Sequence, residues 1–301
     1  MALVRSLSVG NGDMFYISHG SDSFTIIDCC LGADNRDEIL EELKDASRTK
    51  GLTRFVSTHP DEDHIQGLPY LDQGLNIRNF YCVPNNARKT HVTESFRHYC
   101  HLRDNAKVAF HVFKGCKRRW MNQEDEQRGG AGLSILWPDL NDANFKQAQR
   151  DAYLGTAFNN LSLVMRYKTG PASFMWIGDL ETDFMEAISD NISLQKTTVV
   201  FAPHHGRDSG KIPDSWLKRL DPQIIVIGEA PSRHLHYYTG YQTITQNRAG
   251  NISFLTDQNR IHVYASNPGY DFLDFCENER LEDFPNDFYV GTLPIETKYT
   301  L

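Results

Sequence analysis

The stretch Phe55-Val56-Ser57-Thr58-His59-Pro60-Asp61-Glu62-Asp63-His64 decides how this chain is read. Its apolar start reads as a short buried strand. The strand runs straight into a loop with potential ligands His59, Asp61, Asp63 and His64. A sheet holds the first residues of such a loop rigidly, which suits chemistry. Alternating residues of an extended segment point the same way, so His59, Asp61 and Asp63 can converge while the adjacent His64 turns to a second ion. Imidazole with carboxylate suits Zn, Mn or Fe, and a carboxylate-rich set leans toward Mn or Mg. The competing reading is a solvated acidic turn capping a helix over Gln66 to Leu71.

Other apolar runs end in the same kind of residue. Phe174 to Ile177 leads into Gly178-Asp179-Leu180-Glu181, where Asp179 either bridges two cations or caps the next helix. Thr198 to Phe201 leads into Pro203-His204-His205-Gly206, which suggests one metal ligand and one polar group aimed at substrate; surface histidines are the plainer alternative. Asp28 follows Phe24 to Ile27 and suits orienting a ligand histidine from behind. Asn160, in Asn159-Asn160-Leu161-Ser162, precedes a strand, and Asn pairs are common in turns. Arg233 and His234 follow the strand Ile224 to Ile227, on the rim expected for the ligand loops, and suit a phosphate or carboxylate. His98 and His101 share a helical face but lack a third partner. Lys117-Arg118-Arg119-Trp120 is the dense basic cluster, either a solvated face or a stacking contact for nucleic acid.

The chain has 301 residues and a net charge of -8, so broad phosphate neutralisation along its surface is excluded. Cys29, Cys30, Cys82, Cys100, Cys116 and Cys276 form no CxxC pair, which favours reduced thiols. With no apolar leader and no long apolar run, a cytoplasmic protein without membrane spans is expected. Strand signals cover Val4 to Val9, Met14 to Ile17, Phe24 to Ile27, 77–83, 107–113, Leu133 to Trp137, Ser162 to Tyr167 and Ser173 to Ile177. Helices are expected over 34–50 and 86–105, and a hairpin at Thr256-Asp257-Gln258-Asn259. The pattern gives an α/β protein and permits two sheets sandwiched by outer helices. Residues 1–268 read as one domain, with 84–132 as an insert or lid. Residues 269–301 read as a tail packing on the core or a partner chain, including a second copy.

Taken in order, these segments resemble the metallo-β-lactamase fold superfamily, in its ComEC-type branch. The resemblance rests on Ser8-Val9-Gly10-Asn11-Gly12-Asp13, Ile27-Asp28, the HxDxDH set His59-Asp61-Asp63-His64, Asn160-Leu161-Ser162, Gly178 to Glu181, Pro203 to Gly206 and the Thr256 to Asn259 hairpin. It spans about residues 3 to 265. It implies an αββα sandwich of two mixed sheets with a centre for two divalent ions, Zn or Mn, at one edge. His59 and Asp61 would hold one ion and Asp63 and His64 the other. Asp179 would bridge them, and His205 would complete the second position. His204 would be left as a substrate or proton contact. Asn160 stands where many members have a histidine, which leaves the first position short of a ligand. The transmembrane parts of competence proteins are absent, so DNA uptake is not implied.

The expected function is a metal-dependent hydrolase, first a phosphodiesterase or nuclease. A metal-bound hydroxide would attack phosphorus with Asp63 orienting it, and Arg207, Arg233 and His234 would bind the anionic substrate. The alternatives are hydrolysis of a small ester, lactone or amide, and a catalytically silent, metal-stabilised binding module.

Overall fold

A computed structural model describes residues 1–284 and 286–295. Its strands form two mixed sheets. The larger has the order Phe288–Pro294, Arg260–Ala265, Ile252–Asp257, Ala2–Ser6, Phe15–Ser18, Ser23–Ile27, Leu52–Val56, Phe80–Cys82 and Ala109–His111. Its pairs are antiparallel as far as Ser23–Ile27 and parallel beyond. The smaller has the order Thr243–Thr245, Ile224–Ile227, Val199–Phe201, Ala172–Trp176, Val164–Thr169 and Leu133–Trp137.

The two sheets face each other across an aromatic layer. Phe15 packs on Phe201 at 4.8 Å between ring centroids, and Phe174 meets Phe254 at 5.9 Å. The rows pointing away from that layer, Phe24, Ile26, Phe55 and Val200, are buried as well, as strands covered on both faces require. Helices cover the outer faces. Arg36–Ser47 buries Ile39, Leu40 and Leu43 at helical spacing. On the other side Trp216, in Asp214–Leu220, donates its indole N–H to the Met185 carbonyl at 3.0 Å. The molecule is thus an αββα sandwich. Among the described residues no helix is long and apolar enough to cross a membrane, and the six cysteines are free thiols.

Several expected elements are shorter or lie elsewhere. The helix expected over 86–105 is Glu94–Asp104, because Thr93 Oγ1 accepts the Phe96 N–H and fixes its start. Ala109–His111 pairs with Phe80–Cys82, so part of 84–132 belongs to the large sheet. Its stretch around Trp120 and Arg128 packs at the other end of the sheet. Arg54 Nη2 donates to the Trp120 carbonyl (2.8 Å), and the Asp22 N–H donates to the Arg128 carbonyl (3.3 Å). Asp22 precedes the start of Ser23–Ile27, the opposite end from Asp28. The region read as a tail supplies the edge strand Phe288–Pro294, and Asp287 pairs with buried Arg5. Its residues 285 and 296–301 lie outside the described residues.

Candidate metal centre

The ligand loops leave the C-terminal ends of parallel strands. Ser23–Ile27 and Leu52–Val56 deliver Asp28 and His59 from one sheet. Ala172–Trp176 and Val199–Phe201 deliver Asp179 and the His204-His205 pair from the other. The backbone is bent hard at these exits: Asp28, Gly178, His204 and His205 have φ of 57°, 60°, 52° and 55°. Left-handed conformations are costly for residues with a Cβ and persist where surroundings enforce them, typically at functional sites.

Donor atoms of Asp63, His64, Asp179 and His205 all lie within 4.8 Å of one another. His64 Nε2 is 3.1 Å from Asp179 Oδ1, and His205 Nε2 is 3.3 Å from Asp63 Oδ2. Each of these rings is steered from behind by a carboxylate. Asp28 Oδ2 meets His64 Nδ1 at 2.8 Å and accepts the Thr58 hydroxyl at 2.6 Å, while Asp28 Oδ1 accepts the Thr58 N–H at 2.7 Å. Asp13 Oδ1 meets His205 Nδ1 at 2.9 Å, and the Asp13 N–H donates to the Asp63 carbonyl at 3.1 Å. This backing fixes which ring nitrogen faces inward.

Beside this set, His59 Nε2 stands 3.6 Å from Asp61 Oδ2 and 3.9 Å from Asp179 Oδ2. His204 Nε2 approaches Asp179 Oδ2 to 3.8 Å, while its Nδ1 meets Ser209 Oγ at 2.8 Å. Asn160 turns elsewhere: its Nδ2 donates to Glu181 Oε2 (2.9 Å), and its Oδ1 accepts the Glu181 N–H (3.1 Å). It shapes the Asp179 loop by these bonds.

Unpaired atoms test whether a cation fits. His59 Nε2, His64 Nε2 and Asp179 Oδ1 are buried without a hydrogen-bond partner. Such atoms cost about 1–3 kcal/mol each when left unmet, and a divalent ion satisfies them together. Electrostatics agrees. Burial alone would raise the Asp179 carboxyl, but His64 and His59 hold it well below the usual carboxylate range. Burial alone would keep His205 neutral, but Asp13 and Asp63 push it up to about 10. The cage is built to face positive charge. For His204, burial dominates and lowers its pKa.

The proposed substrate residues stand outside the ligand cluster. Arg207 donates to Asn11 Oδ1. Arg233 Nε reaches His234 Nε2 at 3.1 Å, and His234 Nδ1 meets the Tyr237 hydroxyl at 2.8 Å. Their segment packs beside the ligand loops, since the Tyr238 hydroxyl accepts the Ile212 N–H at 3.3 Å. In the basic stretch 117–120, Lys117 and Arg119 are exposed and Arg118 and Trp120 half-buried. Arg118 covers the Phe110 ring at 4.4 Å, and Arg119 pairs with Asp125 at 2.9 Å. His98 pairs with Asp72 at 2.8 Å, away from this cluster in sequence and contacts.

Lys89 went unread in the sequence. Its Nζ lies 3.1 Å from Asp61 Oδ1. A lone lysine in a polar stretch carries no spacing signal, and only the fold brings it to Asp61.

No family model matches the chain. The chain is similar to ComE operon protein 3 of Bacillus subtilis (strain 168), with 23% identity over 252 residues, 80% of this chain and 29% of that protein. It therefore spans less than a third of that relative's length. The His/Asp cluster could hold a metal ion.

Proposed function

We propose that this chain is a metal-dependent hydrolase of phosphodiesters, in nucleic acid or a nucleotide. The observation that carries it is the convergence of unpaired His59 Nε2, His64 Nε2 and Asp179 Oδ1 beside Asp63 and His205. Asp63, His64, Asp179 and His205 would hold one ion, Zn or Mn, and His59 and Asp61 with Asp179 a second, weaker one. Bound there, divalent ions lower the pKa of water and neutralise anionic oxygens.

The chain's own groups have distinct tasks. Asp63 is held below the usual carboxylate range, with burial outweighed by His205 and His64, so its carboxylate is ionised and ready to orient a water. His204, kept neutral by burial, shares a hydrogen bond between its Nδ1 and Ser209 Oγ, and if Ser209 is the donor its Nε2 proton would face the site. A neutral imidazole in that tautomer would offer a hydrogen bond to a substrate oxygen. Arg207 and Arg233 would supply the local positive charge that an anionic substrate needs on a chain of net charge -8, with His234 a polar contact beside Arg233.

The test is hydrolysis of bis-p-nitrophenyl phosphate by protein stripped of metal and reloaded with Mn or Zn. Turnover is expected only after reloading, and Asp63→Ala should lose roughly 10²-fold or more. Turnover that survives chelation, or an Asp63→Ala protein of full activity, would overturn the reading. Bound metal with cleavage of lactones or amides alone would move the substrate class.

A further inference from the structure

The two halves of the centre are charged very differently. The position made by Asp63, His64, Asp179 and His205 has two carboxylates among its ligands, and both of its imidazoles are backed by further carboxylates, Asp28 and Asp13. The position that begins with His59 and Asp61 has no such backing. His59 Nδ1 faces the neutral Thr58 hydroxyl at 3.1 Å. Asn160 is committed to Glu181 by both ends of its amide. Asp61, the carboxylate belonging to this position alone, is already paired with Lys89.

That lysine is fixed in place. Its ammonium sits 4.8 Å from the centre of the Phe158 ring and 5.1 Å from that of Phe96, so aromatic faces take part of the space of its water shell. Its side chain is 14% exposed. A partly desolvated ammonium depends on its carboxylate partner. The backbone is anchored as well, since the adjacent Arg88 N–H donates to the Ala152 carbonyl at 2.9 Å.

We propose that Lys89 is the resident cation of the first position: it neutralises Asp61, weakens divalent-ion binding there, and leaves the protein with one tightly held ion per chain. This rests on the metal-centre reading above and assigns the weakness of the first position to a residue. Any ion bound by His59 and Asp61 shares its carboxylate with a fixed positive charge a few ångströms away, and like charges at that range repel strongly in a poorly solvated site.

The experiment is titration of the full-length, metal-stripped protein with Mn²⁺ alone, followed by equilibrium dialysis and electron paramagnetic resonance. Wild type should bind one tight equivalent and show the spectrum of an isolated ion. Lys89→Met, which keeps the apolar stem, should bind a second equivalent at least about tenfold more tightly than wild type and show exchange coupling between neighbouring ions. Lys89→Arg should behave as wild type. Circular dichroism establishes that the variants are folded, and the wild-type spectrum tests the inference without any variant. Two tight, coupled ions in wild type, or a second site unaltered in folded Lys89→Met, would overturn the role of Lys89 and leave the metal centre standing. No Mn²⁺ binding at all would remove the metal centre itself.

Discussion

Asp13 and His205 are 192 residues apart in sequence and 2.9 Å apart in space. Asp13 lies where it can steer the imidazole without touching an ion, so Asp13→Asn should weaken metal binding roughly 10- to 100-fold. Competition against a chelating dye measures this, and an unchanged affinity would show that Asp63 alone positions the ring. At this scale the sequence was legible wherever candidate ligands were neighbours. His59, Asp61, Asp63 and His64 announce themselves by spacing, and Asp179 and His205 by standing at the ends of apolar runs. The partners were not. Nothing local in Lys89 points to Asp61, and nothing in Asn160 distinguishes a metal contact from its bonds to Glu181. Those assignments depend on three-dimensional neighbours that periodicity does not encode.

The strand exits carry the argument at the next scale. Gly178 turns the chain from Ala172–Trp176 into Asp179 with φ of 60°, and a Cβ there would lie 2.6 Å from Ser162 Oγ and 3.1 Å from Thr58 Cβ. Ser162 Oγ also accepts the Asp179 N–H at 2.9 Å. Gly178→Ala should therefore destabilise the fold by about 1–3 kcal/mol and shift Asp179 off its neighbours. Urea denaturation gives the first quantity and metal affinity the second; a variant normal in both would mean the turn relaxes freely. Elements were read well where hydrophobic runs were long. Leu133–Trp137 and Ile224–Ile227 lie where the apolar runs placed them, and the hairpin joins Ile252–Asp257 to Arg260–Ala265. The edge strand Phe288–Pro294 was missed, because exposed Phe288 and buried Val290 to Leu293 do not alternate cleanly. In the basic stretch 117–120 the sequence shows charge but neither the ring beneath Arg118 nor the Asp125 carboxylate beside Arg119.

For the molecule as a whole, stability gains a pH dependence from a group remote from the metal centre. His19 is buried against the Tyr167 ring and faces Thr25 Oγ1 at 2.8 Å. Burial, with the charges of Arg54 and Lys50, holds its pKa well below the ordinary histidine value. The unfolded chain takes up a proton below about pH 6.5 that the folded ring refuses. Its contribution is therefore fully present above that pH and is lost as pH falls, by up to about 1.4 kcal/mol per unit. The stability difference between wild type and His19→Gln should shrink across that acid range and stay level above it. A difference that does not vary with pH would show that folded His19 protonates normally. The αββα architecture itself was permitted by the strand pattern, but which strands share a sheet was not, since the largest sheet closes through pairs at opposite ends of the chain. Ala2–Ser6 lies between Phe15–Ser18 and Ile252–Asp257. During synthesis, then, the first strand leaves the ribosome with one hydrogen-bonding edge bare and waits for some 250 more residues before its second neighbour exists. Until that moment the nascent chain carries an open sheet edge, the kind of surface that recruits chaperones or other unfinished chains.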